Sequence, residues 1–163
     1  MSWWSGKVRQ FTTYLGARVS MAEREALART LTTAQLDLFD AMHVADQRHG
    51  LDVMAALRTD GAGDDRDLLL AGLFHDAAKG PTVGLLHRVS WSLGERYGSG
   101  VWSVGRLLPG FGHAYALLAD HAQASADLAI AAGCTPRTGA LIRAQASPVD
   151  APGRQLLRAD EAH

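Results

Sequence analysis

An adjacent histidine and aspartate, His75 and Asp76, stand at the end of an apolar run that begins at Leu68, and Lys79 follows about one helical turn later. Protein interiors rarely accept two ionisable side chains in such a position unless something compensates them. A divalent metal ion can do so, because neutral imidazole and carboxylate are both ligands for it. The pair therefore predicts a metal site, and the alternative is a hydrogen-bonded core histidine beside a helix-end aspartate.

The helical phase of this run favours burial of the pair. A predicted helix over 66–79 places four residues on one face: Leu68, Gly72, His75 and Lys79. Asp76 lies about 100° round the helix from His75, which is close enough for both side chains to bind one ion. Because Gly72 has no side chain, we expect a neighbouring helix to approach closely at this point.

Other ionisable residues lie on the apolar stripes of further predicted helices. His49 opens the apolar face of a helix over 46–59, and Asp46, one turn earlier, is placed to orient its imidazole ring. The remaining candidates share stripes with apolar residues: His87, His113, His121 and Asp160. Several inward-pointing residues around one His-Asp pair indicate a metal centre, although each histidine taken singly also fits an ordinary core position.

Turn and cap signals predict helices along the chain. Ser20–Glu23 and Thr32–Gln35 have the spacing of capping boxes, and Thr135 with Pro136 starts a helix just after a terminating Gly133. No stretch of strict apolar-polar alternation predicts a strand. We therefore predict one all-α domain, with helices over 5–18, 21–29, 33–42, 46–59, 66–79, 83–97, 113–132, 136–146 and 153–162.

The acidic segment from Asp60 to Asp67 invites comparison with a calcium-binding loop. Its spacing does not fit an EF-hand, whose ligands occupy fixed positions of a twelve-residue loop. We predict instead a solvated turn that caps the amino end of the helix over 66–79.

Composition limits the classes of protein to which the chain can belong. A length of 163 residues suits one domain, and a formal net charge of −1 lacks the basic excess typical of nucleic-acid binders. The single cysteine, Cys134, cannot form an intrachain disulfide, and no apolar run approaches the length of a membrane span. We expect a soluble cytoplasmic protein without a nucleic-acid partner.

Residues 1–30 lead to a separate prediction. A helix over 5–18 would carry an apolar stripe, with basic side chains beside it: Trp4, Val8, Phe11 and Leu15, then Lys7, Arg9 and Arg18. We predict that residues 1–30 form a helical extension packing on a core domain of residues 31–163. Contact of this basic amphipathic helix with a membrane surface is the alternative.

Four segments carry a resemblance to a known family. They are ADQRH at Ala45–His49, HDAAKG at His75–Gly80, HRV at His87–Val89 and AAGCTPRT at Ala131–Thr138. In this order, with Asp160 near the end, the chain resembles the HD-domain metal-dependent phosphohydrolase superfamily, and most closely its small stand-alone bacterial members. The resemblance runs from about Val8 to the last residue. It implies that residues 31–163 form one helical HD-type bundle with the metal site in its core.

The resemblance also implies roles for individual residues. One divalent cation would be held by His49, His75, Asp76 and Asp160, and a second ion or the substrate by His87, His113 or His121. Mixed nitrogen and oxygen ligands suit Mn, Fe, Co, Ni or Zn better than Mg. Two residues would be catalytic: Asp76 as a ligand that can accept a proton, and Lys79 as a charge that neutralises a phosphate oxygen. Lys79 could otherwise simply offset the helix dipole.

The implied activity is hydrolysis of a phosphoester by a metal-activated water, with a small phosphorylated molecule as substrate and a nucleotide favoured by analogy. The chain departs from its relatives at two places. Gln145 stands where they tend to have a histidine, and His121 is followed by Ala-Gln where they tend to have Pro-Glu. The alternative is therefore a catalytically degenerate HD domain that acts as a ligand-binding sensor or a protein-interaction module.

Overall fold

The computed structural model describes residues 16–80 and 108–163. Between these two ranges it describes a few single residues: His87, Ser90, Trp91, Leu93, Gly94, Tyr97, Gly98, Gly100, Trp102 and Ser103. Most of the predicted helix over 5–18, with its membrane-contact alternative, and most of the predicted helix over 83–97 therefore lie outside the described residues.

The protein is all-α, as predicted, and no strand occurs in the ranges that the structure describes. The helices with described bounds are α1 (Met21–Ala28), α2 (Thr33–Ala41), α3 (Val44–Leu57), α4 (Arg66–Phe74), α5 (Phe111–Ala131), α6 (Pro136–Arg143) and α7 (Ala151–Ala162). A π-type turn at Arg58–Ala62 connects α3 to α4, and a short 3-10 turn at Ala77–Lys79 follows α4. None of the described helices is long and apolar enough to cross a membrane.

The predicted helix starts at 21, 33, 66 and 136 are confirmed, whereas the helices predicted from 46, 113 and 153 begin two residues earlier. Both predicted capping boxes form, with Ser20 at the start of α1 and Thr32 at the start of α2. Asp65 caps α4, because its carboxylate accepts the backbone N–H of Leu68 at 3.1 Å. The acidic turn thus fixes where the helix begins that leads to the His-Asp pair.

Helices α3 and α4 form the centre of the fold, and they cross where each has a glycine. A Cβ atom at Gly50 would lie 2.4 Å from the carbonyl oxygen of Leu73, and one at Gly72 would lie 2.7 Å from Cδ1 of Leu57. The close approach expected at Gly72 is confirmed. A Cβ atom at Gly50 would meet backbone atoms of Leu73, so this glycine sets the separation of His49 and His75 beside the crossing, whereas one at Gly72 would meet mainly side-chain ends that can move.

The remaining helices enclose this crossing. α6 and α7 pack against α4, α7 also packs against α3, and α5 packs on α6 and on the Ala77–Lys79 turn. The side chains at the centre of the core are completely buried: Phe39, Val53, Leu57, Leu73, Phe74, Ile142 and Leu156. Leu27 of α1 belongs to the same core, so the helix just before residue 30 packs on it.

Asp67, in the first turn of α4, joins that helix to α6. Its Oδ1 accepts hydrogen bonds from the hydroxyls of Thr135 at 2.7 Å and Thr138 at 3.0 Å, and Arg137 lies beside it. Burial acts to raise the pKa of Asp67, but these hydrogen bonds and Arg137 outweigh it and hold that pKa below its usual value. Thr138 is fully buried, so its hydroxyl depends on this carboxylate.

Asp67→Ala is expected to lower the free energy of unfolding by about 2 kcal/mol at pH 7, because the buried Thr138 hydroxyl loses its partner. The folded-state pKa of Asp67 lies below the unfolded value, so its contribution is complete above the unfolded pKa and is lost as pH falls through the folded pKa. Urea unfolding at pH 7 and at pH 3 measures both effects. The exposed Asp64→Ala is the control, and an equal loss in the two variants would contradict the prediction.

Candidate metal centre

The helix α4 ends at Phe74, so the prediction of one continuous helix over 66–79 is wrong. The backbone N–H of His75 still donates a helical hydrogen bond to Ala71 O, at 2.9 Å. Asp76 departs from helical geometry, with φ −108° and ψ 9°. The chain turns here because α5 supplies a partner from outside the helix: Ser125 Oγ accepts the backbone N–H of Ala78 at 2.9 Å. The His-Asp pair therefore sits on a corner, from which both side chains point into the core.

His75 is 2% exposed, and its ring is held in one orientation. Its Nδ1 lies 2.9 Å from the carbonyl oxygen of Gly72, which can only accept, so Nδ1 carries the proton. The other nitrogen, Nε2, faces two carboxylates, Asp160 Oδ1 at 3.3 Å and Asp76 Oδ2 at 3.7 Å. Nε2 is fully buried and has no hydrogen-bond partner among the described residues. Such a nitrogen in a polar cluster is satisfied either by a proton that faces the two carboxylates or by a bound cation.

His49 and Asp160 approach His75 from two other helices. His49, on α3, places its Nε2 2.8 Å from Asp160 Oδ1, and its ring centroid lies 5.1 Å from that of His75. Asp160, near the end of α7, therefore contacts both histidines. The structure thus brings together all four residues to which a shared cation was assigned, from α3, the corner after α4, and α7.

The geometry of this cluster fits a divalent cation. One ligand atom each from His49, His75 and Asp76 can be chosen so that all lie within 4.8 Å of one another. Atoms that share one ion lie about 3–4 Å apart, because each bond to it is about 2.0–2.2 Å long. A small inward adjustment of these side chains closes the remaining gap. The donor set, two imidazoles with carboxylates, suits a first-row transition metal.

The electrostatics of the cluster favour a positive charge next to His75 Nε2. Burial acts to lower the pKa of His75, but Asp76 and Asp160 outweigh it and raise that pKa to about 9. Burial likewise acts to raise the pKa of Asp76, yet Lys79 and His75 hold it well below its usual value. Both carboxylates are therefore ionised at neutral pH, and a proton or a cation can supply the charge between them.

Asp76 has two further partners, Lys79 on the oxygen that also faces His75 and His121 on the other oxygen. Lys79 Nζ lies 2.5 Å from Asp76 Oδ2, and His121 Nε2 lies 3.7 Å from Asp76 Oδ1. His121 donates from Nδ1 to Leu118 O at 2.6 Å, while its Nε2 faces the amide nitrogen of Gln145 at 3.1 Å. Burial and the charge of Lys79 lower the pKa of His121, so this imidazole is neutral.

The structure also gives the positions of three further predicted site residues. His113 is exposed, so the prediction that it points inward is wrong: the inward positions at this end of α5 are Ala114, Tyr115 and Leu118. His87 packs its ring on Phe111, 4.5 Å between centroids, and Phe111 is about 15 Å along α5 from His121. Asp46 is buried one turn before His49. Its role in orienting that ring stays a prediction.

Two residues of the site were not predicted as such. Gly50 permits the crossing beside His49, and Ser125 holds the corner that carries Asp76. Gly50 leaves a signal in the sequence, because a glycine inside a helix next to a candidate ligand marks a close approach of backbones. Ser125 acts through a contact that spans 47 residues, so no local pattern reveals it. Gln145 stands out in the sequence as a departure from the resembled family, but its contact with His121, 24 residues away, is seen only in the structure.

Comparison with known proteins adds no relative to this picture: no protein-family model, no curated protein and no solved structure gives a significant match to the chain.

Proposed function

We propose that this protein is an HD-type, metal-dependent phosphohydrolase. One observation carries the proposal: His49 and the adjacent pair His75 and Asp76, from two separate parts of the chain, converge around a buried imidazole nitrogen that lacks a partner among the described residues. A cluster of this kind is costly unless a ligand satisfies it. The spacing of the same residues in the sequence is what resembles the HD superfamily.

The cation would be held by His49, His75 and Asp76, with Asp160 beside the two imidazoles. When bound, such an ion polarises a phosphoryl oxygen and lowers the pKa of a water molecule. The Gly72 carbonyl fixes the His75 ring, so that Nε2 and not Nδ1 points toward the centre, where a cation would displace the proton that the raised pKa otherwise keeps on it. Asp76 is one of the two ionised carboxylates of the centre, and in this proposal it would accept the proton that the attacking water loses.

Lys79 supplies the second positive charge of the centre. Its ammonium lies against Asp76, and its side chain is 20% exposed, so it borders both the ligand set and solvent. A phosphate oxygen that approaches the cation would meet this charge. His49 and Asp160 are also only partly buried, which leaves the centre open to a solute on that side. These features support a small phosphorylated substrate, and a nucleotide remains favoured by analogy alone.

The first experiment is elemental analysis of the purified, untagged protein and of His75→Ala. We expect about one or two equivalents of a transition metal per chain in the wild type and almost none in the variant, because His75 supplies the buried ligand nitrogen. His163→Ala, at the exposed last residue, is the matched control and should retain the metal. Absence of metal from the wild type, even after reconstitution with Mn²⁺ or Fe²⁺, would overturn the proposal.

Hydrolysis is tested next, with a panel of phosphomonoesters, phosphodiesters and nucleotides and with the metal that the analysis identifies. The second candidate function is a catalytically degenerate HD domain that binds its ligand without turnover. The contact between Gln145 and His121 favours it, because this contact occupies an imidazole that faces Asp76. Retention of the metal together with binding but no cleavage of any panel member would support this second function over the first.

A further inference from the structure

His121 faces the candidate centre but has no free lone pair. Its Nδ1 must donate to the carbonyl oxygen of Leu118, so Nε2 holds the only lone pair of the ring. Gln145 Nε2 lies 3.1 Å from that atom, and an amide nitrogen can only donate. The lone pair of His121 Nε2, the ring atom nearest Asp76, therefore already accepts a hydrogen bond from Gln145.

We propose that the Gln145–His121 pair closes the position where a second metal ion would bind, so that the centre holds one divalent cation and Gln145 sets that number. This inference rests on the proposed function, since it presupposes a cation at His49, His75 and Asp76. It makes Gln145 a specificity-determining residue that binds no metal itself.

Without Gln145, the space between His121 and Asp76 Oδ1 would have the ligands for the second ion of a two-metal site. The ions of such sites lie about 3.5–4 Å apart, and they commonly share a carboxylate. Asp76 has its two oxygens on two sides, with Oδ2 toward His75 and Oδ1 toward His121. A cation on the His121 side would need His121 Nε2 as a ligand, and it would therefore have to break the hydrogen bond from Gln145.

Breaking that hydrogen bond would be costly for Gln145. The residue is 8% exposed, and its Oε1 already lacks a hydrogen-bond partner among the described residues. If its amide nitrogen lost His121 as well, both polar atoms of a buried amide would be unsatisfied.

A substitution at residue 145 is expected to open the second-metal position beside His121. An imidazole at 145 would offer a ligand nitrogen beside His121 Nε2, in place of an amide N–H that competes with the metal. Gln145→His is therefore expected to bind a second ion, with His121 as one of its ligands. Gln155→His adds an imidazole on α7 instead, where the glutamine side chain donates to Asp60 O, and serves as the matched control.

The experiment loads each full-length protein with Mn²⁺ alone, removes free metal and counts equivalents by elemental analysis. We expect about one equivalent in the wild type, His121→Ala and Gln155→His, about two in Gln145→His, and about one again in the double variant Gln145→His/His121→Ala. Electron paramagnetic resonance gives an independent readout, since two adjacent Mn²⁺ ions give a coupled spectrum and a single ion does not.

Each other result has a definite meaning. Two equivalents in the wild type, one of them lost in His121→Ala, would overturn this inference and leave the proposed function intact. No bound metal in the wild type would overturn the proposed function itself. A single equivalent in Gln145→His with wild-type circular dichroism would also overturn the inference. If that variant does not fold, Gln145→Glu, of nearly the same size and with a ligand carboxylate, takes its place under the same criteria.

Discussion

Asp76→Asn is expected to remove the bound cation and to lower phosphoester hydrolysis by about a thousandfold. Asp76 lies close to three side chains of the centre, Lys79 at 2.5 Å and His75 and His121 each at 3.7 Å. Asparagine keeps the volume of the side chain but carries no charge. Under the proposed function, the variant would lose a ligand, the proton acceptor and the counter-charge of Lys79 together, with the side-chain volume at the corner unchanged.

The measurement combines metal content, hydrolysis rate and circular dichroism for the same preparation. Asp127→Asn is the matched control, because Asp127 is a carboxylate of α5 that pairs with Arg143 on the surface, where its side chain is 60% exposed. The control should keep its metal and its activity. If Asp76→Asn also kept its full metal content and folded normally, the assignment of Asp76 as a ligand would be wrong.

The helix starts could be predicted from the sequence because they depend on residues only three positions apart. Ser20 with Glu23, and Thr32 with Gln35, form the two reciprocal hydrogen bonds that their spacing predicts. The end of α4 could not be predicted in this way. Ala77, Ala78 and Lys79 favour a helix intrinsically, and the helix stops because of a tertiary contact, the hydrogen bond from Ala78 to Ser125.

The candidate site was predictable to the extent that its residues have distinct chemistry. His49, His75, Asp76 and Asp160 are ionisable residues on otherwise apolar stripes, and the structure brings them together. The histidines of α5 were harder to assign, since alanine occurs on every side of that helix and the apolar pattern has no unique phase. Periodicity thus did not separate the exposed His113 from His121, which faces Asp76.

Gly50→Ala is expected to lower the free energy of unfolding by about 3 kcal/mol, with a Tm about 10 °C lower. The added methyl group would lie 2.4 Å from the carbonyl oxygen of Leu73, and its next neighbours are also backbone atoms of that residue. No flexible side chain can move aside, so α3 and α4 must separate. Because His49 precedes Gly50 and His75 follows Leu73 by two residues, this separation also pulls the two imidazoles apart.

The variant therefore couples a loss of stability to a loss of metal affinity, which thermal unfolding and Mn²⁺ titration measure separately. Gly112→Ala is the matched control, because a Cβ atom there meets nothing within 4 Å and its site in the first turn of α5 tolerates alanine. We expect that control to be as stable as the wild type or up to about 1 kcal/mol more stable. A Gly50→Ala variant that unfolds at the wild-type temperature would show that the crossing can widen freely, and that it does not set the distance between His49 and His75.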